Sequence, residues 1–393
     1  MKILMLTTQL GYGGAETSFI RLANFLAQSM DVAIALFTNT GTYSIGHASL
    51  DAKIKVLLLD RSNSTQLMRW WRRIRTLRSL KQQHDVTISF LSGPNLVNVL
   101  AGYNRSSIVS LRGSRIYDPV SSHLQRLVFQ HIVDPIVFFL ADAIVPVSYG
   151  LRYEMPRYAQ HKVQVISPFI DLASSEQHLA ETPPEPYAAL QGQKVIVAVG
   201  RLSIEKGFHH LIRIFVALSK RESGIKLLLV GDGPMLQVLR THCSNANIVM
   251  DDYAPTISSV IFAGYQKNVL PLIGLSRVLV LSSATEGFPN VLLEAMAANT
   301  PIIAADTPWG ARTILCKNND SRDPYPTHQP TTTDYGTLMP RIDDVAYQDN
   351  WVEVLQQNLH QPHHPDCKAR LGNFNLETVG ALWKRLIETI GTP

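Results

Sequence analysis

Four charged side chains in the second half of this 393-residue chain carry most of its chemical promise: Arg201, Lys206, Glu286 and Glu294. The two glutamates stand eight residues apart around Gly287 and Pro289, and the second falls in the helical run from Asn290 to Ala298. The residues before them, Val278 to Leu281, form a short apolar run suited to a buried strand. Pro289 is expected at the first position of the helix, where its missing N–H does no harm. Open amides at such a helix start attract phosphate oxygens. Carboxylates accept hydrogen bonds from the paired hydroxyls of a sugar or ribose, each contributing roughly 1.5–3 kcal/mol. Together these groups predict a phosphorylated, polyhydroxylated ligand such as a nucleotide-sugar. Taken alone, the glutamate spacing fits a turn cap and a solvated helix residue equally well.

Arg201 and Lys206 lie five residues apart in Gly200-Arg201-Leu202-Ser203-Ile204-Glu205-Lys206-Gly207, after an apolar strand and before a helix. Arginine offers a planar fork for phosphate and lysine a compact point charge. The C-terminal edge of a parallel sheet is where such folds bind ligands, so the pair is read as a phosphate clamp rather than as two surface cations. A second glycine-rich turn, Gly11-Tyr12-Gly13-Gly14-Ala15-Glu16, follows the opening strand. Its G-x-G-G order departs from the dinucleotide fingerprint; anion binding and a plain tight turn both fit it. Gly231-Asp232-Gly233-Pro234 reads as a structural strand-end turn.

The elements that must position these groups are strands alternating with amphipathic helices. Ile3–Thr7, Val32–Phe37, Val56–Leu59, Val86–Phe90, Ser107–Leu111, Ala143–Val147 and Val163–Ile166 read as strands in the first half. Thr17–Gln28 and Thr65–Gln82 read as helices there. In the second half, Val195–Gly200, Lys226–Gly231, Ile248–Met250, Val260–Ala263, Val278–Ser282 and Pro301–Ala304 are expected strands. This alternation predicts an α/β chain with one parallel sheet per half. Pro168, Pro183, Pro184 and Pro186 give residues 167–193 a linker composition. Residues 317–340 are polar and rich in proline and threonine, and read as a long surface loop. The expected domains are residues 1–170, residues 171–375 and a closing amphipathic helix within 376–393.

Composition narrows the class. An apolar content of 46% fits a soluble globular protein, and no stretch reaches the ~20 apolar residues needed to span a bilayer. Three widely spaced cysteines argue against a disulfide framework, and no secretory signal is evident at the start, so a cytoplasmic setting is expected. Residues 1–170 hold 18 Lys and Arg against 9 Asp and Glu, which predicts an anionic partner for that half.

In this order Arg201 and Lys206, Gly231-Asp232-Gly233 and the Glu286 to Glu294 segment resemble the C-terminal domain of the retaining group 1 glycosyltransferases, the family called GT4. Gly13-Gly14-Ala15-Glu16 is similar to the glycine-rich loop of its N-terminal domain. The resemblance covers nearly the whole chain and implies the GT-B architecture: two Rossmann-like domains with parallel sheets facing across a cleft. The final helix would cross back to the first domain. It implies that Arg201 and Lys206 hold the donor diphosphate and Glu294 the ribose hydroxyls. Glu286 would contact hydroxyls of the donor sugar, with Phe288 and the amides of Asn290, Val291 and Leu292 nearby. Gly14 would approach the diphosphate or the acceptor. No metal and no cofactor are implied, since side-chain cations and a helix dipole supply the charge stabilisation. The implied partners are a nucleotide-diphosphate sugar, with a UDP-sugar favoured, and a glycan or polyprenyl-linked acceptor of cell-surface polysaccharide biosynthesis. One departure stands out. Many relatives place a histidine after the strand that here ends Ser110-Leu111-Arg112, and Arg112 is the candidate to take over part of its catalytic role.

The segment from Leu67 to Lys81 contains six cations and no acid. Leu67, Trp70, Trp71, Ile74 and Leu77 fall near one helical face, with Arg69, Arg72, Arg73 and Lys81 largely elsewhere, and Arg72, Arg73 and Arg78 are the cations a lipid surface would meet. Such a helix fits an anionic lipid interface, at about 1 kcal/mol per cation, and fits equally a helix packed on the sheet with solvated arginines. The first fit places the protein on the inner face of the cell membrane. Nucleic acid is disfavoured, because no recognition module accompanies the patch. His360, His363 and His364 are split by prolines and are not read as metal ligands. The alternatives weighed are a non-catalytic GT-B-like nucleotide-sugar-binding subunit and a nucleotide-sugar-processing enzyme of the same fold. A dinucleotide-dependent oxidoreductase ranks last, since neither half has the full glycine fingerprint.

Overall fold

The computed structural model describes residues 1–11, 13–38, 44–45, 48–60, 65–102, 106–114, 116–117, 122–252, 259–318 and 327–391. Tyr12 of the glycine-rich turn and residues 319–326 of the expected long loop lie outside them. The chain divides into two compact units, one built on Met1–Ile116 and Ser121–Phe169 together with the segment from Leu376, the other on Ile170–Asn375 with Tyr117–Val120.

The first unit has six parallel strands: β1 (Lys2–Thr7), β2 (Asp31–Leu36), β3 (Lys55–Leu58), β4 (Val86–Phe90), β5 (Ser106–Leu111) and β6 (Ala143–Pro146), in the order β3-β2-β1-β4-β5-β6. Alternation along β1 shows why it is fixed in register. Ile3 and Met5 enter one core, with α1 (Gly14–Ala27) and the closing helix, whereas Leu4 and Leu6 enter the other. A slip of one residue would exchange the two sets. The second core lies under α2 (Gln66–Lys81) and α3 (Ser92–Leu100). Each fully buried side chain of this kind contributes roughly 1.5–3 kcal/mol. The closing helix, Leu376–Gly391, buries Val379, Trp383, Leu386 and Ile387 at helical spacing. Trp383 stacks on Phe90 with ring centroids 6.2 Å apart.

Val163–Ile166 is not a strand. It hangs on β6 through Gln164 N–H to the Ile144 carbonyl (3.0 Å) and Ile166 N–H to that of Pro146 (3.2 Å). A 3-10 turn at Arg157–Lys162 precedes it and Pro168 follows, leaving no length for a ladder.

The second unit has eight strands: β7 (Lys194–Val199), β8 (Ile225–Val230), β9 (Met250–Asp251), β10 (Val260–Gly264), β11 (Val278–Leu281), β12 (Ile302–Ala305), β13 (Thr331–Thr333) and β14 (Gly336–Met339). Their order is β9-β10-β8-β7-β11-β12-β14-β13, parallel except for the β13–β14 pair. The expected surface loop therefore contains a buried strand. Gly336–Met339 reads as loop in sequence because it is short and flanked by threonines, yet it pairs with β12 and is buried along its length. The linker expectation also changes. Within residues 167–193, Leu172–Leu179 is a helix whose N-cap Asp171 accepts from the Ser174 amide at 3.1 Å. That helix belongs to the second unit, with Pro168 before it and Pro183, Pro184 and Pro186 after it.

Candidate active site

The predicted clamp residues come together at the C-terminal edge of the second sheet. β7 runs into the loop bearing Arg201 and Lys206, and α4 (Phe208–Ser219) follows. β11 runs into the loop bearing Glu286, and α5 (Asn290–Ala297) follows. The two loops are tied directly. The Lys206 ammonium donates to Glu286 Oε1 at 2.5 Å, and Ser283 Oγ donates to the same oxygen at 2.7 Å. Both charged groups are largely shielded, with side-chain exposures of 25% and 11%. The backbones are also joined: Ser282 Oγ donates to the Lys206 carbonyl (2.7 Å) and Ala284 N–H to that of Glu205 (2.8 Å).

Glycines make this approach feasible. Gly207, at φ 66°, caps α4, and a Cβ there would overlap the Ser282 carbonyl oxygen. Gly231, at φ 139°, brings the Gly231-Asp232-Gly233 turn against the backbone of Gly200, where a Cβ would lie 2.9 Å from the carbonyl carbon. Leu202 N–H then donates to the Asp232 carbonyl at 3.0 Å, so this turn braces the cation-bearing loop.

Arg201 is exposed, and its side chain has no partner among the described residues. It stands five residues from a lysine already engaged with a carboxylate. Glu294 lies half-buried one turn into α5, on the same side as Asn290. Two expectations need correction. Pro289 is the N-cap rather than the first helical residue, since its ψ of 93° is extended. The Leu292 amide donates to the Pro289 carbonyl at 3.0 Å, so it is not open to an anion. Phe288 is buried edge-on against Phe374, with centroids 5.4 Å apart, which makes it part of the loop's core. Val291 is half-buried.

Sequence reading missed the support behind Glu286. Its backbone bridges to Trp309, and Gly310 lies so close that a Cβ would sit 2.8 Å from that of Glu286. Ser283 was legible only as the first residue of an S-x-x-E spacing, the pattern of a capping contact.

In the first unit, Gly14 opens α1 after the extended Gly13, and Glu16 occupies the first turn. Arg112 follows β5 with its guanidinium 4.6 Å from the Phe90 ring centre. Burial pulls its pKa down to about 10 against the opposing pull of Glu16, so it stays cationic at neutral pH. The glycine-rich turn thus already has a carboxylate and a cation of its own.

The basic helix is divided between both expectations. Trp70 meets Phe37 edge-on at 6.1 Å and packs with Ile74 and Leu77 on the sheet. Arg73 lies over Phe37 at 4.3 Å, and Arg78 Nε donates to the Ala101 carbonyl at 3.0 Å. Trp71 and Arg72 are exposed. Lys81 is fully buried and donates to Asn98 Oδ1 (3.0 Å) and Ser107 Oγ (2.6 Å). Burial lowers its pKa to about 8, opposed by Asp142.

The start of α4 holds two histidines in ring contact, tilted 42° to each other. The rings of His209 and His210 are 3.8 Å apart, and His242 lies 6.3 Å from His209. Burial first, then His209 and Arg213 outweighing Asp343, hold His210 down to about 4; burial lowers His209 too. Both titrate near ~6.5 in an unfolded chain. Below that pH the unfolded state takes up protons that the folded state refuses. Stability should therefore decline from about pH 6.5 to about 4 and then level off. Thermal melts from neutral pH to about pH 5 should show a smaller acid loss for His210→Leu than for the wild type. Equal losses would clear the histidine pair of this role.

Residues 181–322 match the family model described as Glycosyl transferases group 1. Over those residues the chain is similar to the group 1 glycosyltransferases. Among similar proteins is a Campylobacter jejuni enzyme, 23% identical over 99% of each chain. Its name is GalNAc-alpha-(1->4)-GalNAc-alpha-(1->3)-diNAcBac-PP-undecaprenol alpha-1,4-N-acetyl-D-galactosaminyltransferase. An uncharacterized glycosyltransferase of Methanocaldococcus jannaschii is 27% identical over 49% of each chain, so this chain matches about half of that relative's length. Anabaena HepE, crystallised with UDP and glucose, superposes with a TM-score of 0.74 at 16% identity, covering 99% of both chains. Sucrose-phosphate synthase from Thermosynechococcus elongatus gives a TM-score of 0.74 at 18% identity over 99% of this chain and 98% of its own. These likenesses show the fold: two parallel-sheet α/β units of GT-B type. No helix among the described residues is long and apolar enough to cross a membrane.

Proposed function

We propose that this protein is a group 1 glycosyltransferase that moves a hexosyl group, with retention at the anomeric carbon, from a nucleotide-diphosphate sugar to a glycan or polyprenyl-linked acceptor. A UDP-sugar is the favoured donor. The observation that carries the reading is the Lys206–Glu286 pair, which joins two strand-end loops beside the start of α5. With exposed Arg201 in the same loop, two cations are available to a diphosphate, whose charge rises as the sugar departs. Glu286 faces the sugar hydroxyls and Glu294 the ribose. Arg112 serves the acceptor side, and attack proceeds from the face the leaving group vacates. The undecaprenol-linked substrate in the name of the Campylobacter relative supports the acceptor class, and the UDP and glucose bound by Anabaena HepE support the donor class.

Calorimetry with UDP, GDP, ADP and NAD tests the donor site. One nucleoside diphosphate should bind, and Glu294→Ala should weaken it by about tenfold or more, the loss of a charge-assisted pair of ribose contacts. No binding by any of them, or a silent Glu294→Ala, would withdraw the assignment.

A further inference from the structure

One tryptophan of the first unit stands out by its exposure. Of the chain's five, Trp309, Trp351 and Trp383 are buried, and Trp70 packs on the sheet against Phe37. Trp71, the next residue of α2, is 62% exposed, although an indole is among the largest apolar surfaces a fold can bury. It lines a groove of about 630 Å³ between α2 and the end of β3, together with Leu58, Leu59, Asp60, Arg72 and Arg75. A concavity of that size is on the scale of a small-molecule site. A flat bilayer surface would not need it.

The lining has the chemistry of a site for a negatively charged sugar. Arg75 reaches over Trp71, its guanidinium carbon 5.4 Å from the ring centre, as i,i+4 spacing on a helix allows. Arg72 and Arg75 are both exposed, and α2 carries no acid of its own. Asp60, the one carboxylate in the lining, also acts on Arg73, which lies over Phe37. The surplus of guanidinium forks suits a carboxylate or phosphate held bidentately. The indole offers a flat apolar face to the C–H side of a sugar ring, and Asp60 can accept from its hydroxyls.

Topology indicates what such a sugar belongs to. Leu58 ends β3, so the groove sits at the C-terminal edge of the first sheet. The glycine-rich turn leaves β1 at that same edge, and Arg112 leaves β5 there. In the strand order, β3 is two places from β1 and four from β5. At about 4.8 Å per strand, those gaps are about 10 and about 19 Å. A chain of linked sugars spans them; a single sugar does not.

We infer that the Trp71 groove is a distal acceptor subsite, holding an acidic sugar of a glycan whose growing end lies at the glycine-rich turn and Arg112. The inference rests on the proposed glycan acceptor and adds what that glycan carries: a negative charge several rings from the reacting hydroxyl. Calorimetry on the whole protein tests it, with tetramers of galacturonate and of sialic acid beside a neutral galactose tetramer. Wild type should bind at least one acidic tetramer about tenfold more tightly than the neutral one. Arg72→Ala/Arg75→Ala should weaken that binding about tenfold or more, and Trp71→Ala about fivefold. Nucleoside-diphosphate binding and Tm should be unchanged in both variants, which separates this result from failure of the donor site. Equal binding of acidic and neutral tetramers overturns the inference, as does binding of none. So do variants that bind like the wild type, or displacement of the tetramer by UDP, which would place it at the donor clamp.

Discussion

A Lys206→Ala enzyme is expected to turn over its donor about a hundred to a thousandfold more slowly, the scale of losing one preorganised charge at a reacting centre. The reason is double. The cation that would meet the leaving diphosphate disappears, and among the described residues the Glu286 carboxylate, 11% exposed, keeps Ser283 alone as a side-chain partner. Leaving such a charge uncompensated costs about 2–3 kcal/mol, so a lower Tm should accompany the kinetic loss. Lys206→Arg restores charge without the compact geometry and should recover only part of kcat. Steady-state kinetics on the matched pair decides the matter. An unchanged kcat in Lys206→Ala would mean that the ion pair only holds two loops together.

Gly207→Ala should be among the most damaging single methyl additions in the second unit. At φ 66° an alanine is strained by roughly 1 kcal/mol before any contact is considered. Its Cβ would also overlap the Ser282 carbonyl, forcing apart loops that share the Ser282–Lys206 hydrogen bond. A combined loss of about 3–5 kcal/mol, or a Tm lower by about 10 °C, is expected in calorimetry. Donor affinity should fall with it, because Lys206 is the adjacent residue. A variant that melts like the wild type would show that the loops part easily, contrary to the rigidity their contacts imply.

Much of this was legible before the structure, and the reason is periodicity. Strands such as β1 and β8 are continuous apolar runs between turn residues, and the glycine, arginine, lysine and glutamate positions follow from where those runs end. β14 escaped because four residues with one strongly apolar pair carry no period. The helix at Leu172–Leu179 escaped because proline-rich neighbours dominated the composition around it. At the site, side-chain identity was readable but backbone occupancy was not. Only coordinates reveal that the Leu292 amide is already bonded to Pro289, or that Phe288 turns to Phe374. The groove at Trp71 was hidden for a related reason. Trp70 and Trp71 look alike in sequence, yet the sheet covers one and leaves the other exposed.

The eight-stranded sheet ends in its two shortest strands: β9 with two residues and β13 with three threonines set antiparallel. An edge offers unpaired amides and carbonyls to any other chain, and longer, flatter edges invite more of it. Here neither end presents more than a single turn's worth of template. The longer apolar strands β7, β8 and β11 lie inside the order, each hydrogen-bonded on both sides. The protein thus keeps its most aggregation-prone segments out of reach of its own copies.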